Sequence, residues 1–177
     1  MALPAILLAA LLLLLRPGLD RVLYPMDYYG LIDSAASENQ TDTALLMALV
    51  FTESSFDPRA VSPVGARGLT QIMPETFAWL QGKTGEKLEL DALFEPEISL
   101  RYGALLLRLH LDEFGYTETA LAAYHAGRGR VNQWLRDPEI SPDGRTLANI
   151  PSNDTRHYIN KVIKAYAKYN GLINKPT

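Results

Sequence analysis

Apolar residues recur at helical spacing from about residue 24 onward, in short segments that Gly, Pro, Asp and Asn residues separate. No alternating run of apolar and polar residues is long enough to predict a sheet. A chain of 177 residues suffices for one buried core but is short for two. The sequence therefore predicts a single, mainly α-helical domain. Its helices are predicted at residues 28–37, 43–53, 74–80, 96–114, 118–125, 128–135 and 154–170, with loops at 81–85 and 138–151.

Residues that start or stop helices set several of these boundaries. Thr41 or Asp42 is expected to cap the second predicted helix, and Thr117 the fifth. Gly115 and Gly171 are expected to end the fourth and the last, because glycine readily adopts the left-handed conformation found after a helix. The second predicted helix then ends at the carboxylate of Glu53, a side chain that can act as a catalytic acid.

The amino-terminal residues 2–15 carry no charge and include five consecutive leucines. Their number matches the apolar region of a signal peptide and falls below the roughly 17 to 25 residues of a transmembrane helix. No A-x-A cleavage pattern follows, so an uncleaved anchor is also open, as is a buried core helix. We expect residues 1–21 to be a signal peptide or membrane anchor and residues 22–177 to form the working domain, in the cell envelope.

Charge and metal-binding residue types exclude several classes of function. The net charge is −3 and no run of Lys or Arg occurs, which argues against a nucleic-acid partner. Cysteine is absent, and His110, His125 and His157 are too far apart in sequence to form a metal-binding pair. We therefore predict no metal and no disulfide. A neutral sugar polymer suits such a surface, because amides, hydroxyls and aromatic faces can hold it.

Glu53 is the leading candidate for a catalytic acid. It lies at the carboxyl end of a predicted helix, where the helix dipole disfavours negative charge, and among the apolar residues Val50, Phe51 and Phe56. Both effects raise the pKa of a carboxyl, as glycosidic-bond cleavage near neutral pH requires. From position alone, an ordinary solvated carboxylate is equally open. The nearest second carboxylate, Asp57, precedes a proline and is better explained by a turn.

Three sequence blocks resemble the signature of lytic transglycosylases, the goose-lysozyme-like enzymes that cut peptidoglycan. The first, at residues 53–74, is ESSFDPRAVSPVGARGLTQIMP. The second, LAAYHAGRGRV at residues 121–131, is similar to the family pattern A-Y-N-A-G-x-G-x-V. The third, DTRHYI at residues 154–159, is similar to E-T-x-x-Y-V. The blocks follow the family's order and spacing, and the resemblance covers about residues 24–170.

The resemblance implies a lysozyme-like fold with a substrate groove, and a lytic transglycosylase catalytic domain at residues 22–177. Glu53 would protonate the leaving oxygen of the MurNAc-GlcNAc β-1,4 bond and then take the proton of the C6 hydroxyl as that oxygen closes on C1. The product would carry 1,6-anhydroMurNAc. The implied partner is the glycan strand of peptidoglycan, bound by a monomer without a cofactor, with membrane contact only through an uncleaved amino-terminal segment.

Substrate-binding residues are implied in each block. Ser62 and Gln71 match positions that hydrogen-bond the sugar and its acetamido group, and Met73 matches one that lines the groove. Tyr124 matches a tyrosine near the catalytic Glu, and Tyr158 a groove tyrosine on the last helix. Turn or packing roles are the alternatives for all five. The full implied set is Ser62, Gln71, Met73, Tyr124, His125, Ala126, Asp154 and Tyr158.

Two positions depart from the family pattern. His125 stands where the family usually has Asn, so this position can titrate as well as hydrogen-bond. Asp154 stands where the family usually has Glu, and a cap of the last helix is as good an explanation for it as sugar contact. Neither change removes the proposed acid.

Two other functions fit the same groove. A goose-type muramidase would place water on C1 and leave a reducing end. A peptidoglycan-binding module without turnover would keep the groove and bind the same strands. The intact Glu53 argues against the binding module, while the residues alone leave the choice between the two enzymes open.

Overall fold

The computed structural model describes residues 22–174, which are almost entirely helices and loops. Within this range the chain forms seven α-helices and one 3-10 helix, and its only β pairing consists of two isolated bridges. The prediction of a mainly helical fold is confirmed. The elements are α1 (Tyr29–Glu38), α2 (Thr43–Ser54), α3 (Pro74–Thr84), the 3-10 helix (Leu90–Phe94), α4 (Pro96–Phe114), α5 (Thr117–Ala126), α6 (Arg128–Trp134) and α7 (Asn153–Ile173).

Helix α2 is the central element because it is apolar on every side. Its residues 44–50 are all buried, with at most 4% of any of them exposed. A helix of this kind needs neighbours all round. Among the described helices, α2 and α7 form the most extensive contact between any two, and α1 covers another side of α2. The carboxyl end of α2 is therefore held in place from several directions.

The buried side chains form two hydrophobic clusters. The larger surrounds α2 and draws on α1, α4, α5, α6 and α7. The smaller lies between α3, the 3-10 helix and α4, around Phe77, Leu93 and Tyr102. Tyr124 on α5 packs against both clusters. This tyrosine thus sits at the boundary between the two parts of the core.

Helices α3 and α7 extend further than predicted. Helix α3 continues through residues 81–84, which were expected to be a loop, and ends at Gly85. The added turn is held by tertiary contacts, since the Gln81 side chain accepts a hydrogen bond from the Leu88 N–H and the Thr84 hydroxyl contacts that of Tyr102. These contacts outweigh the low helix propensity of a glycine within the turn.

The predicted caps are correct in part. Asp42 caps α2, accepting a hydrogen bond from the Leu45 N–H at 2.9 Å. Thr117 is not a cap, because it is already the first residue of α5. Gly171 does not end α7, which passes through it to Ile173 and so brings two more apolar side chains onto the core. The other predicted ends agree with the structure or differ from it by one residue.

The described helices include none that is both long and apolar enough to cross a membrane. The hydrophobic segment at residues 2–15, and with it the predicted signal or anchor at residues 1–21, lies outside the described residues.

Candidate active site

Glu53 lies in the last turn of α2, where its carboxyl meets a tyrosine of α7. The Tyr158 hydroxyl donates a hydrogen bond to Glu53 Oε1 at 2.6 Å. Burial raises the pKa of Glu53 from 4.5 to about 7, and the hydrogen bond from Tyr158 works in the opposite direction. Near neutral pH this carboxyl can therefore both release and accept a proton.

The chain turns sharply directly after Glu53. Ser55 and Phe56 both have positive φ angles, 52° and 65°, which few non-glycine residues adopt. The turn is fixed at both ends. The Ser54 hydroxyl donates to the Leu69 carbonyl at 2.9 Å, and the Phe56 ring is buried in the larger cluster. The helix thus ends next to Glu53. The negative end of the helix dipole disfavours the ionised carboxylate, and so it favours the neutral carboxyl of Glu53.

Ser62 and Gln71 hold the loop that follows α2. Ser62 Oγ accepts a hydrogen bond from the Ala66 N–H at 3.0 Å. The Gln71 amide donates to the carbonyls of Ala60 and Gly68, at 3.1 and 2.9 Å. Both side chains therefore stabilise the loop in this structure, while no described residue donates to Gln71 Oε1.

Thr70 connects this loop to α4 by a very close approach. Its hydroxyl donates to the Ser99 carbonyl at 2.8 Å, and its N–H donates to Ser99 Oγ at 3.2 Å. The approach depends on Gly103, where an added Cβ would lie 2.4 to 2.7 Å from the Thr70 side chain. The Thr70 carbonyl then accepts a hydrogen bond from the Tyr124 hydroxyl at 2.9 Å. A buried contact between two glycine-lined segments thus positions a tyrosine of the site.

Tyr124 and Tyr158 are both neutral phenols beside Glu53. Burial raises the pKa of each well above its ordinary value, and the neighbouring Glu53 charge raises it further. They can donate hydrogen bonds without losing their protons over the physiological pH range. The site therefore holds one carboxyl that titrates near neutral pH between two hydroxyls that do not.

A cleft of about 660 Å³ leads away from this group of residues. Four residues predicted to bind substrate line it, namely Met73, Tyr124, His125 and Ala126. Tyr124 connects the cleft with Glu53, because it lines the cleft and the Glu53 charge raises the pKa of its hydroxyl. Sequence reasoning missed other lining residues, including Val64, Thr76, Trp79, His110 and Arg130.

Trp79 could have been found from the helical period of α3. Phe77 and Leu80 form the buried side of this helix, with 2% and 0% exposed. Trp79 falls off that side and is 43% exposed. A large aromatic residue outside the apolar stripe of a helix was the available signal.

His125 packs against Tyr158. Its ring stacks on the tyrosine ring, with centroids 4.5 Å apart and planes inclined by 28°. Its Nδ1 lies 3.2 Å from the Thr155 hydroxyl. Partial burial lowers the pKa of His125, and the charge of Asp154 opposes that change. The position that departs from the family pattern thus contacts the residue that hydrogen-bonds Glu53.

The cap interpretation of Asp154 is wrong. Ser152 caps α7, since its hydroxyl oxygen accepts a hydrogen bond from the Thr155 N–H at 3.2 Å. Asp154 is exposed in the first turn of α7, close enough to His125 for its charge to act there. An acidic side chain in the first turn also suits the positive end of the helix dipole.

Comparison with known proteins gives a consistent result. Residues 30–144 match the Transglycosylase SLT domain family. A transglycosylase of Enterobacteria phage PRD1 is 35% identical over 125 residues, which cover 71% of this chain and 43% of that protein. The soluble lytic murein transglycosylase of Escherichia coli K12 is 31% identical over 163 residues, which cover 87% of this chain and 25% of that protein.

A solved structure agrees with these relatives. The inactive Glu-to-Gln mutant of the lytic transglycosylase Slt from Pseudomonas aeruginosa superposes with a TM-score of 0.78 at 32% identity. The match covers 89% of this chain and 26% of that one. This chain therefore spans less than half the length of the relatives it matches.

Proposed function

Because the chain belongs to the Transglycosylase SLT domain family, we propose that it is a lytic transglycosylase of peptidoglycan. It cleaves the MurNAc-GlcNAc β-1,4 bond and leaves 1,6-anhydroMurNAc ends. The observation that carries the proposal is a single carboxyl, Glu53, whose pKa is raised to about 7 beside the hydroxyl of Tyr158. The relative from Pseudomonas aeruginosa, inactive as a Glu-to-Gln mutant, supports a requirement for one glutamate.

In the first step, protonated Glu53 donates its proton to the glycosidic oxygen. The bond between that oxygen and C1 of MurNAc breaks, and its electron pair stays on the oxygen of the departing GlcNAc. A general acid works best when its pKa lies near the working pH, and the pKa of Glu53 meets this condition. The neutral hydroxyl of Tyr158, which donates a hydrogen bond to Glu53, stabilises the carboxylate that results.

The second step uses the substrate's own groups, because no other carboxylate of the described residues acts on Glu53. Asp57 instead accepts a hydrogen bond from the Arg59 N–H at 2.9 Å, as a turn residue does. The acetamido oxygen of MurNAc stabilises the positive charge at C1. The C6 hydroxyl then attacks C1 while ionised Glu53 takes its proton, which restores the acid and closes the anhydro ring.

The other predicted site residues divide into two groups. Met73, Tyr124, His125 and Ala126 line the cleft and contact the sugars, with Asp154 at its edge beside His125. Ser62 and Gln71 stabilise the wall of the site, and Gln71 Oε1 is offered to the acetamido N–H.

We place the protein in the cell envelope as a monomer, with residues 1–21 as its signal peptide or membrane anchor. Relatives described as soluble and as membrane-bound lytic murein transglycosylases support the envelope location.

The product decides between the two candidate enzymes. Purified peptidoglycan is digested with the protein, and the released muropeptides are measured by mass spectrometry before and after borohydride reduction. Anhydro ends that borohydride leaves unchanged are the expected result. Reducible ends would establish the muramidase instead, and binding without release would establish the binding module.

The pH profile of the reaction is expected to fall as the pH rises through about 7, because ionised Glu53 has no proton to donate. Tyr158→Phe removes the hydrogen bond that lowers the pKa of Glu53, so the descending limb is expected to move to higher pH. Initial rates of peptidoglycan solubilisation between pH 5 and 9 measure both effects. Tyr116→Phe, an exposed tyrosine at the start of α5, is the matched control. An unshifted limb in Tyr158→Phe would contradict this role.

His125→Asn is expected to have a pH-dependent effect. Partial burial lowers the pKa of His125, so its ring is neutral at pH 7 and hydrogen-bonds as an amide does. The ratio of variant to wild-type rates should therefore be constant above pH 7 and change toward pH 5, where only histidine gains charge. Exposed His157, also on α7, provides the control substitution His157→Asn. A ratio that stays constant down to pH 5 would show that the titration of His125 does not reach the substrate.

A further inference from the structure

Helix α3 presents an aromatic side chain to the cleft that its own packing does not require. Trp79 is 43% exposed and lines the cleft together with Thr76, one turn earlier on the same helix, and Met73, the residue before the helix. The core is instead contacted by Phe77 and Leu80, which are almost fully buried. Burial therefore does not explain the presence of a tryptophan at this position.

The indole ring of Trp79 is oriented by a neighbour on the same helix. The Lys83 ammonium lies over the ring, 4.9 Å from its centroid. A cation in this position is attracted to the π face and restricts the rotation of the side chain. One face is thereby covered, and the exposed area belongs to the rest of the ring. A ring held in place before binding loses little entropy when a ligand stacks on it.

The cleft has a second exposed apolar residue in its lining. Val64, on the loop after α2, is 73% exposed and lines the same cleft. The cleft is continuous from these two residues to Tyr124 and His125, next to the Glu53 environment. A flat aromatic side chain and an aliphatic side chain in one cleft suit a pyranose ring, whose axial C–H bonds form an apolar face, and the methyl group of its N-acetyl substituent.

We propose that Trp79 is a sugar-stacking residue that binds an N-acetylhexosamine unit of the glycan strand, beyond the sugars that react at Glu53. This inference rests on the proposed function, because it takes the cleft to hold glycan. Trp79 is then a specificity-determining residue, which selects long strands and sets the register in which the scissile bond reaches Glu53.

Binding is tested by fluorescence in a protein that cannot turn over. The chain has two tryptophans, so Trp134→Phe combined with Glu53→Gln leaves Trp79 as the only indole. Titration with N-acetylglucosamine oligomers of four to six units is expected to give a saturable change in Trp79 emission. No change with the oligomers, or a change only with free stem peptide, would overturn the proposal.

Affinity and kinetics then test whether the stacking matters. Trp79→Ala is expected to weaken oligomer binding by roughly threefold to tenfold, the range for one aromatic stacking contact, and Trp79→Phe to retain most of the affinity. On peptidoglycan the loss should appear in KM rather than in kcat. Tyr116→Ala, equally exposed and outside the cleft, is the control. Melting temperatures establish that each variant folds.

The two proposals fail in different ways. If anhydro products form but Trp79→Ala binds oligomers as tightly as the wild type, the stacking proposal is wrong and the proposed reaction stands. If oligomers bind through Trp79 but no anhydro product appears, the stacking proposal stands and the proposed reaction is wrong.

Discussion

Glu53→Gln is expected to abolish glycan cleavage, lowering the rate by roughly 10²-fold to 10⁴-fold, as the loss of a general acid does. The amide has the shape of the carboxyl, and its oxygen can still accept the hydrogen bond from Tyr158. It cannot supply a proton to the leaving oxygen or take one from the C6 hydroxyl, so both steps are lost. Muropeptide release from purified peptidoglycan, followed by mass spectrometry, measures the effect. Glu139→Gln, an exposed loop residue, is the matched control.

The same substitution is expected to stabilise the fold at alkaline pH. Burial raises the pKa of Glu53 from 4.5 to about 7, so the folded protein holds this proton more tightly than the unfolded chain. The resulting stability is complete below pH 4.5 and is lost as the pH rises through about 7. Above that pH the buried charge costs up to roughly 3 kcal/mol, which Gln avoids.

Thermal unfolding at two pH values tests this effect. Glu53→Gln should melt above the wild type at pH 8 and together with it at pH 4. An inactive variant without the stability gain at pH 8 would mean that the Glu53 carboxyl is better solvated than the structure indicates. Retained activity would remove Glu53 from the mechanism altogether.

Gly68→Ala is expected to destabilise the protein by at least about 3 kcal/mol, or to prevent folding, because two independent penalties combine. A Cβ at this position would lie 1.9 Å from the Leu93 carbonyl oxygen and 2.8 Å from Ser99 Oγ. The backbone also has a φ of 76°, which alanine adopts only with strain. Relief of the clash would move Thr70, two residues later, and with it the carbonyl that binds the Tyr124 hydroxyl. Activity should therefore fall even in the molecules that fold.

Urea unfolding of Gly68→Ala and Gly82→Ala measures the contrast directly. Gly82 lies inside α3, and apart from its chain neighbours and the adjacent helix backbone no atom lies within 4 Å of an added Cβ. Alanine there should be neutral or stabilise the protein by about 0.5 to 1 kcal/mol, through its higher helix propensity. Equal stability of the two variants would show that the loop after α2 can move away from the 3-10 helix at little cost.

Segments of helical periodicity or continuous apolar character, bounded by start or stop residues, located all seven described α-helices. It failed where tertiary contacts decide the outcome. Helix α3 gained a turn because Gln81 and Thr84 have hydrogen-bond partners outside the helix, Leu88 in the following loop and Tyr102 on α4. The cap of α7, one of the two explanations considered for Asp154, is Ser152 instead; both residue types are competent caps, and only the path of the chain selects between them.

The candidate site shows a similar division. The raised pKa of Glu53 followed from its helix end and its apolar neighbours, both visible in the sequence. The resemblance to a known family placed Tyr124 near Glu53 and Tyr158 in the groove, but it did not predict the hydrogen bond from Tyr158 to Glu53, which joins residues 105 positions apart. Trp79 was missed because helical periodicity identifies the residues on the buried side of a helix. Trp79 lies outside that side and is 43% exposed.

The position of Tyr124 between the two hydrophobic clusters makes the surroundings of Glu53 depend on both. Helix α4 contributes buried residues to each cluster and Tyr124 packs against each, so the two parts of the core are connected through this helix and this side chain. The Thr70 carbonyl holds the Tyr124 hydroxyl at 2.9 Å, and the Glu53 charge acts on the same hydroxyl. A substitution that loosens either cluster is therefore expected to displace this hydroxyl. Packing far from the cleft can in this way change the environment of the proposed acid.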